Sequence, residues 1–374
     1  MNILYLCTFY HRALLFRQQM DSLIKRGHNI RAFSSAKYGE GIAEKFRPIM
    51  DELVVHKECW NKYDRMLFFP RQWKIEKELQ KAYNLKEFDL IHSQLLLSSG
   101  YTAMRMKKKY GVPYVVSVRV TDLTGFIRLP YFRGMAVRII KEASGIIFLS
   151  ACHKEEFTKK FVPAEYLDEF NSKCEVISNC IEPFWEENTA NAPRVMKDKK
   201  KVRLLAVAKI RPIKNLTVAA QAVEVLKNRG YDARLTVVGE VQDKEEYERI
   251  KAYSCVDILP FKKKEELIDI YNDNDIFLLP SVNETFGRAY VEAMTQGLPV
   301  IYTQGQGFDK NFPDGEVGYS VPCDAPETIA DRIEETIKRY DEISPECIEK
   351  SRLFYEDRII DKLESFYEKA LKRG

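Results

Sequence analysis

The first half of the chain alternates short apolar runs with longer segments whose apolar residues recur at helical spacing. This alternation predicts a parallel sheet covered by helices, because each buried strand is followed by a crossover helix that packs on one face. The predicted strands are Ile3–Cys7, Ile30–Phe33, Leu53–His56, Leu90–His92, Tyr114–Val118, Ile146–Leu149 and Glu175–Ile177. The predicted helices lie near Arg12–Arg26, Trp73–Asn84, Ser98–Tyr110, Phe132–Glu142 and Cys152–Phe161.

A second series of the same kind follows a polar stretch without clear periodicity at residues 183–201, which we interpret as the interdomain connection. Its predicted strands are Val202–Ala208, Ala233–Val238, Val256–Leu259, Ile276–Leu279 and Pro299–Tyr302. Its predicted helices are Asn215–Asn228, Lys244–Tyr253, Lys264–Asn272, Arg288–Gln296, Pro326–Tyr340 and Asp357–Lys372.

The pattern predicts an α/β protein of two Rossmann-like, doubly wound domains that face one another across a ligand-binding cleft. We expect an N-terminal domain at residues 1–183 and a C-terminal domain at residues 184–354. The last helix, from about residue 355 to 374, is expected to pack back on the first domain. A chain of 374 residues is also too long for one hydrophobic core, which supports two domains.

Composition narrows the class of protein. The chain is 45% hydrophobic and 30% charged, values typical of globular proteins, and its net charge of +4 does not favour nucleic acid. The eight cysteines show no metal-ligand spacing. There is no signal peptide and no apolar run near the roughly 20 residues that span a bilayer, so we expect a cytoplasmic protein.

Positive charge is nevertheless clustered. Arg105–Lys109 is strongly basic, and Lys62–Lys74 and Arg128–Arg138 combine basic with aromatic residues. Such surfaces can lie on anionic lipid, so peripheral contact with the inner face of a membrane is one hypothesis. The alternative is that the aromatic residues belong to the core and the charges are only solvated.

The stretch at residues 275–303 carries the most informative pattern. A buried strand is followed by a loop, a helix from Arg288 and a second strand, and the loop lies where open α/β sheets place their ligands. Amides at the helix start form an anion site. The carboxylates Glu284 and Glu292 frame this site, although a charge such as Glu292 can also simply stabilise the helix dipole.

Three cations follow the strand Val202–Ala208 within six residues: Lys209, Arg211 and Lys214. A diphosphate needs such a cluster, because its charge must be neutralised by donors held in place. The alternative is that these residues are solvated loop cations.

The segments VAKIRPIKN and SVNETFGRAYVEAMTQGLPVI together resemble glycosyltransferase family 4, retaining enzymes of the GT-B fold. The second of these segments matches the family pattern more completely than the first, and supporting matches over most of the chain are RGHNI, FDLIHSQ, ISNCIEPF and LTVVGE. The resemblance implies that Glu284 contacts donor-sugar hydroxyls, that Glu292 binds the ribose diol, and that Lys209 and Lys214 grip the diphosphate. The implied catalytic residues are Lys209, Lys214 and Glu284, and the implied donor site comprises Lys209, Arg211, Lys214, Glu284, Thr285, Phe286, Gly287, Arg288 and Glu292.

Several positions depart from the family pattern. The Gly-Arg of its phosphate loop is Ala208-Lys209 here, and the loop Thr8–Leu14 has no glycine where relatives have a Gly-Gly turn. His11 and Arg12 occupy that loop and are predicted acceptor contacts. Where many relatives have a cleft histidine, this chain has Arg119 and Asp122, for which a catalytic role and a core-edge or salt-bridge role both remain open.

Two short motifs resemble known binding patterns only weakly. Asp273-x-Asp275 resembles a metal-binding pair, but it lies ahead of a buried strand and we interpret it as a turn. Gly305-x-Gly307 lacks a following helix start, so it is weak as a dinucleotide motif, although it is placed to border the donor sugar.

The hypothesis is therefore a retaining glycosyltransferase that moves a hexose-type sugar from a UDP- or GDP-sugar to a hydroxyl of a glycan or lipid-linked acceptor. Bacterial surface polysaccharide synthesis is the expected context, with no metal, cofactor or nucleic acid required. Two alternatives remain: a nucleotide-sugar epimerase or phosphorylase on the same scaffold, and a non-catalytic partner that binds nucleotide or glycan.

Overall fold

A computed structural model describes residues 1–12, 14–65, 67–125, 127 and 129–374, without the side chains of Arg12, Lys45 and Arg65. It divides into two compact units. The first comprises Met1–Leu149, Lys154–Ile177 and Ile360–Gly374, and the second comprises Ser150–His153 and Ser178–Ile359. The chain thus passes to the second unit near residue 178 and returns to the first near residue 360.

The first unit is built on a seven-stranded parallel sheet. Its strands are β1 (Asn2–Leu6), β2 (Asn29–Lys37), β3 (Val54–Trp60), β4 (Leu90–Ser93), β5 (Tyr114–Val118), β6 (Gly145–Phe148) and β7 (Cys174–Val176). Their order is β3-β2-β1-β4-β5-β6-β7. Every residue of β4, β5 and β6 is buried, which explains why these strands are continuous apolar runs and not alternating ones.

Helices cover this sheet. They are α1 (Leu14–Lys25), α2 (Phe68–Ala82), α3 (Ser98–Tyr110), α4 (Val120–Thr124), α5 (Pro130–Glu142), α6 (Ala151–Phe161) and α7 (Leu167–Lys173). α3 shows how the sequence ends a helix: three lysines occupy its last turn, and Gly111 follows in the left-handed conformation with φ of 78°. The lysines interact favourably with the negative end of the helix dipole, and the Gly111 amide donates a hydrogen bond to the Lys107 carbonyl, which would otherwise be unpaired.

The second unit is built on a six-stranded parallel sheet of order β10-β9-β8-β11-β12-β13. Its strands are β8 (Lys201–Val207), β9 (Asp232–Val238), β10 (Val256–Leu259), β11 (Ile276–Leu279), β12 (Val300–Thr303) and β13 (Gly318–Val321). The remaining helices are α8 (Pro183–Glu187), α9 (Leu216–Asn228), α10 (Lys244–Lys251), α11 (Lys264–Asn272), α12 (Arg288–Thr295), α13 (Pro326–Lys338), α14 (Tyr340–Ser351) and α15 (Glu356–Leu371). Two doubly wound parallel sheets confirm the predicted fold class.

The interpretation of residues 183–201 as the interdomain connection is wrong. Trp185 is 2% exposed and belongs to the core of the second unit. The Arg194 guanidinium donates to the carbonyls of Tyr271 and Asn272 at 2.9 and 2.7 Å, where α11 ends. The stretch lacks periodicity because its residues cap and cover other elements and do not form a long element of their own.

Three elements of the second unit escaped prediction: α14, β13 and the five-residue helix α8 within residues 183–201. α14 contains Pro345, which removes one backbone donor and resembles a helix stop, yet the helix runs on to Ser351. β13 is only four residues long and begins at Gly318, whose Cβ would lie within 2.8 Å of the backbone of Val300. Close approach to β12 therefore requires the glycine that hides the strand from pattern analysis.

In the first unit, the C-terminal segment is tied to the sheet by a buried hydrogen-bonded chain. The Tyr367 hydroxyl lies 2.9 Å from the Tyr5 hydroxyl and 2.6 Å from His92 Nδ1, and His92 Nε2 lies 2.9 Å from Ser117 Oγ. Burial lowers the pKa of His92 to about 3, so this histidine stays neutral. It serves the packing of the C-terminal helix.

Candidate functional site

The predicted donor residues surround the point where the second sheet changes its winding direction. β8 pairs with β9 on one side and β11 on the other, and the chain leaves β11 toward β12. Loops diverge at such a point and leave a crevice at the carboxyl edge. The two loops are joined by a hydrogen bond from the Val282 amide to the Ile213 carbonyl, 2.9 Å long.

Lys214 and Glu284 meet at this crevice. Lys214 Nζ lies 2.6 Å from Glu284 Oε2, and each side chain is 15% exposed. A short 3-10 turn, Pro212–Lys214, presents the lysine. Asn215 follows with φ of 57°, and its side-chain amide donates to the carbonyls of Pro280 and Cys323 at 3.0 and 2.6 Å. Residues 70 positions apart are thus held as one cation–carboxylate pair in a partly buried place.

The loop after β12 supports Glu284 from the other side. The Glu284 amide donates to Gln306 Oε1 at 3.0 Å, and the Gly307 amide donates to the Glu284 carbonyl at 3.0 Å. A Cβ on Gly307 would overlap the carbonyl of Thr285 and lie 2.6 Å from the Phe286 nitrogen. Gly307 therefore shapes the Glu284 loop, and Gln306 is a site residue that the sequence analysis missed.

The start of α12 lies beside this loop. Gly287 precedes the helix with φ of 84°, and a Cβ there would strike the ring of Tyr290. Phe286 is 1% exposed and packs against Phe308 and Phe354, so only its backbone is available to a ligand. Thr285 is partly buried, and its amide donates to Glu284 Oε1 at 3.2 Å.

Glu292 occupies a different electrostatic setting. It is partly buried on α12, and burial raises its pKa to about 7, with Arg288 opposing the shift and Glu182 adding to it. Arg288 Nη2 lies 3.8 Å from Glu182 Oε1, and Lys264 Nζ lies 3.3 Å from Glu182 Oε2. A carboxyl with a pKa near neutrality can both donate and accept hydrogen bonds, which suits a pair of hydroxyls.

The other two predicted cations lie at the rim. Lys209 is 52% exposed, with Nζ 3.8 Å from Glu240 Oε2. Arg211 is partly buried, and its Nε has no hydrogen-bond partner among the described residues. The intervening Ile210 is bound to the neighbouring loop, since its amide donates to the Glu240 carbonyl at 2.9 Å. The structure thus unites Lys214 with Glu284 and places Lys209 beside Glu240.

The first unit has a pocket of about 660 Å³ at the carboxyl edge of its own sheet. It is lined by Thr8, Phe9, His11, Ser35, Lys37, Glu40, Trp60, Lys62, Phe68, Arg71, Leu95, Leu97, Ser98, Thr121, Asp122 and Gly125. β1 lies between β2 and β4, so this pocket also sits where the winding of a sheet reverses. Two of the predicted acceptor residues, His11 and Asp122, are among its lining.

His11 is held in a polar cluster that sequence analysis did not identify. It is 2% exposed, with Nδ1 3.4 Å from Ser34 Oγ and Nε2 3.5 Å from Glu40 Oε1. The His56 ring centroid lies 4.9 Å away, and burial and His11 lower the pKa of His56. Glu40 lies in a loop without any recognisable motif, so no sequence signal could have paired it with His11.

Arg119 and Asp122 have separate roles. The Arg119 guanidinium donates to the Gln94 carbonyl at 3.0 Å and to Gln94 Oε1 at 2.9 Å, and it packs over the Phe16 ring. The Asp122 carboxylate accepts from the amides of Arg119 and Leu96 at 3.0 and 3.2 Å, and burial raises its pKa to about 6. Arg119 orders the backbone, whereas Asp122 faces the pocket. The side chain of Arg12 lies outside the described residues.

The described residues offer neither a metal-ligand cluster nor a membrane-spanning helix. They contain no group of three or more His, Cys, Asp or Glu side chains arranged to hold a metal ion. Within the same ranges, no helix combines the length and apolar character needed to cross a bilayer.

Two doubly wound parallel units, with a cation-containing loop and a Glu-containing loop meeting at the switch point of the second unit, define a two-domain enzyme class, the GT-B fold. Profiles of two families cover nearly all of the chain: "Glycosyltransferase Family 4" matches residues 16–183, and "Glycosyl transferases group 1" matches residues 188–354. The chain belongs to glycosyltransferase family 4, glycosyl transferases group 1.

Similar proteins agree with this assignment. The α-monoglucosyldiacylglycerol synthase of Acholeplasma laidlawii is 26% identical over 262 residues, 65% of each chain. The capsular polysaccharide biosynthesis glycosyltransferase CapM of Staphylococcus aureus is 27% identical over 177 residues, 45% of this chain and 46% of that one. The matches thus span less than two thirds of the length of either relative.

A solved structure shares the fold. The Anabaena protein Alr3699/HepE in complex with UDP superposes with a TM-score of 0.72 at 16% identity, covering 98% of this chain and all of that chain. At this identity the likeness establishes the fold alone.

Proposed function

We propose that this chain transfers a hexose-type sugar from a nucleoside-diphosphate sugar to a hydroxyl of a glycan or lipid-linked acceptor in the cytoplasm. The contact between Lys214 and Glu284 supports the proposal, because a cation and a carboxylate side by side at a sheet switch point suit a phosphate and sugar hydroxyls, respectively. The names of the two relatives, a glycolipid synthase and a capsular polysaccharide enzyme, support this range of acceptors.

The proposed chemistry is substitution with retained configuration. The bond between the sugar's anomeric carbon and the β-phosphate oxygen breaks, and the acceptor oxygen bonds to that carbon on the same face. The acceptor proton passes to the departing phosphate. Lys214, with Lys209 and Arg211 at the rim, stabilises the charge that develops on the diphosphate, which is the role of preorganised cations in such transfers.

The two glutamates divide the recognition of the donor. Glu284 accepts hydrogen bonds from sugar hydroxyls, and the fixed backbone of its loop keeps it oriented. Glu292, with its pKa raised to about 7, binds the ribose diol. We assign no metal or cofactor to this site, since the cations and amides supply the positive charge.

The test begins with a thermal-shift screen of UDP-, GDP- and ADP-glucose, followed by donor turnover with the donor that binds. We expect Lys214→Ala and Glu284→Gln to lower turnover by about 10²–10³-fold, the usual cost of removing one charge-stabilising group. The exposed control variants Lys338→Ala and Glu335→Gln should match the wild type.

The outcomes separate the alternatives. Near-wild-type turnover in both site variants would refute the site assignment. Donor consumption without any glycan acceptor would favour an epimerase or phosphorylase. Donor binding with neither hydrolysis nor transfer would favour a non-catalytic binding partner.

A further inference from the structure

An exposed aromatic patch lies at the beginnings of α2 and α5 in the first unit. We define it by Leu67, Phe69, Trp73, Leu129 and Tyr131; Trp73 and Tyr131 are each 62% exposed. The Phe69 and Tyr131 rings pack edge to face with centroids 6.0 Å apart, which joins the two helix ends. Trp73 follows Phe69 by four residues and so lies on the same helix face. A contiguous apolar surface of this kind marks an interaction site.

The helices that carry the patch are strongly basic. α2 contacts α3 through the Thr102 hydroxyl, 2.9 Å from Gln72 Oε1, and α3 contacts α5 through Lys108 Nζ, 3.0 Å from Glu142 Oε1. These three helices contain eleven Lys and Arg against three Glu, a net charge of +8, whereas the whole chain carries +4. The rest of the protein therefore carries a net charge of −4, so the net positive charge of the chain comes from these three helices.

The patch adjoins the pocket of about 660 Å³. Phe68 lines the pocket, and its ring packs against Phe69 at 5.5 Å and Phe132 at 5.1 Å. Lys62 and Arg71 line the same pocket, and the Arg71 guanidinium lies 5.2 Å from the Trp60 ring centroid. Phe68 thus connects the aromatic patch to the pocket wall.

We propose that the outer face of α2, α3 and α5 docks on an anionic lipid bilayer, with the aromatic patch in the headgroup region, and that the acceptor enters the pocket from that bilayer. Aromatic side chains favour the membrane interface, and Lys and Arg near an anionic surface add attraction. Nucleic acid would use the charge and stack on the aromatic rings, but it would leave the exposed aliphatic side chains of Leu67 and Leu129 without a role. The part of the proposal that concerns the acceptor rests on the proposed transfer, whereas the docking itself does not.

Vesicle flotation tests the docking with the full chain. We expect the protein to float with phosphatidylcholine vesicles containing phosphatidylglycerol at low salt, and to be largely released at high salt. Neutral phosphatidylcholine vesicles should bind much less. Trp73→Ser/Tyr131→Ser and Lys77→Gln/Lys109→Gln should each lower the partition coefficient by about tenfold or more, since one basic residue contributes about fivefold.

Matched variants of the second unit provide the controls. Val195→Ser/Leu353→Ser removes exposed apolar residues, and Lys197→Gln/Lys199→Gln removes exposed charge. Neither should alter flotation. Circular dichroism and the thermal shift with UDP-glucose, GDP-glucose and ADP-glucose verify that every variant is folded.

Three results would overturn the docking: no flotation, flotation that the first-unit variants leave unchanged, or equal losses in the controls. Tight binding to a single-stranded oligonucleotide that Lys77→Gln/Lys109→Gln weakens, together with no flotation, would instead identify a nucleic-acid surface. Transfer assays then address the acceptor: the docking variants should lose transfer to a bilayer-embedded acceptor and keep transfer to a short-chain, water-soluble one. Vesicle binding without transfer to either would leave the docking intact and refute the proposed function.

Discussion

The two units use equivalent edges of their sheets in different ways. At the switch point of the second unit, short loops bring one ion pair together, and glycine lets the backbone pack closely around Glu284. At the switch point of the first unit, large side chains line a pocket of about 660 Å³, and His11 is buried where the family resemblance implies a glycine turn. The proposed donor site thus lies in a recognisable sequence motif, whereas the proposed acceptor site depends on individual side chains.

The largest effect is expected for Gly307→Ala, which tests whether close backbone packing orients Glu284 in the second unit. The added methyl group would overlap the Thr285 carbonyl, so the loop that orients Glu284 must move. We expect a loss of about 2 kcal/mol or more in the free energy of unfolding and a fall in transfer of about 10²-fold or more. Urea titration and donor turnover measure the two effects.

Gly305→Ala is the matched control, because its Cβ would meet nothing within 4 Å although its φ is 77°. It should cost only about 1 kcal/mol of backbone strain and leave turnover close to wild type. If both variants behaved alike, close backbone approach would not be what orients Glu284.

The next largest effect concerns pH and Glu292. Burial raises the pKa of this carboxyl from 4.5 to about 7, so its contribution to stability is present below pH 4.5 and lost as the pH rises through 7. Glu292→Gln removes this dependence. We expect the variant to gain about 1–3 kcal/mol relative to wild type between pH 5 and pH 8 in urea titrations.

Glu186 also has a pKa raised to about 7. It is present in both the wild type and the Glu292→Gln variant, so the difference in unfolding free energy between the two reports on Glu292 alone. The control Glu335→Gln, on the outer face of α13, should show no pH-dependent difference from wild type. An equal stability difference at both pH values would mean that Glu292 is not desolvated in solution.

The smallest expected effect lies in the first unit. Asp122→Asn keeps the shape of the side chain but removes the charge that faces the pocket, so we expect the KM for the acceptor to rise by up to about tenfold. The donor KM should not change, because the substitution lies in the other unit. Asp168→Asn, at an exposed position of the same unit, is the control. A change in donor KM would contradict the division of roles between the units.

Local patterns located most of the elements but missed some that contain a residue which usually interrupts a helix or strand. Apolar runs and helical spacing located the strands up to β12, because both reflect burial of single elements. α14 was missed because Pro345 resembles a helix stop, and β13 because Gly318 begins it. Residues 183–201 were misassigned because their role, such as the capping of α11 by Arg194, is a tertiary one.

The amino-acid sequence by itself determined the two α/β series, the motif around Glu284 and the cations after β8, since each is a pattern among near neighbours in the chain. Only the tertiary structure decided that Lys214, and not Lys209, contacts Glu284, and that Gln306 supports the Glu284 loop. It likewise decided that Glu40 and Ser34 surround His11. These contacts join loops that follow different strands, so they depend on strand order and loop path, which no local pattern records.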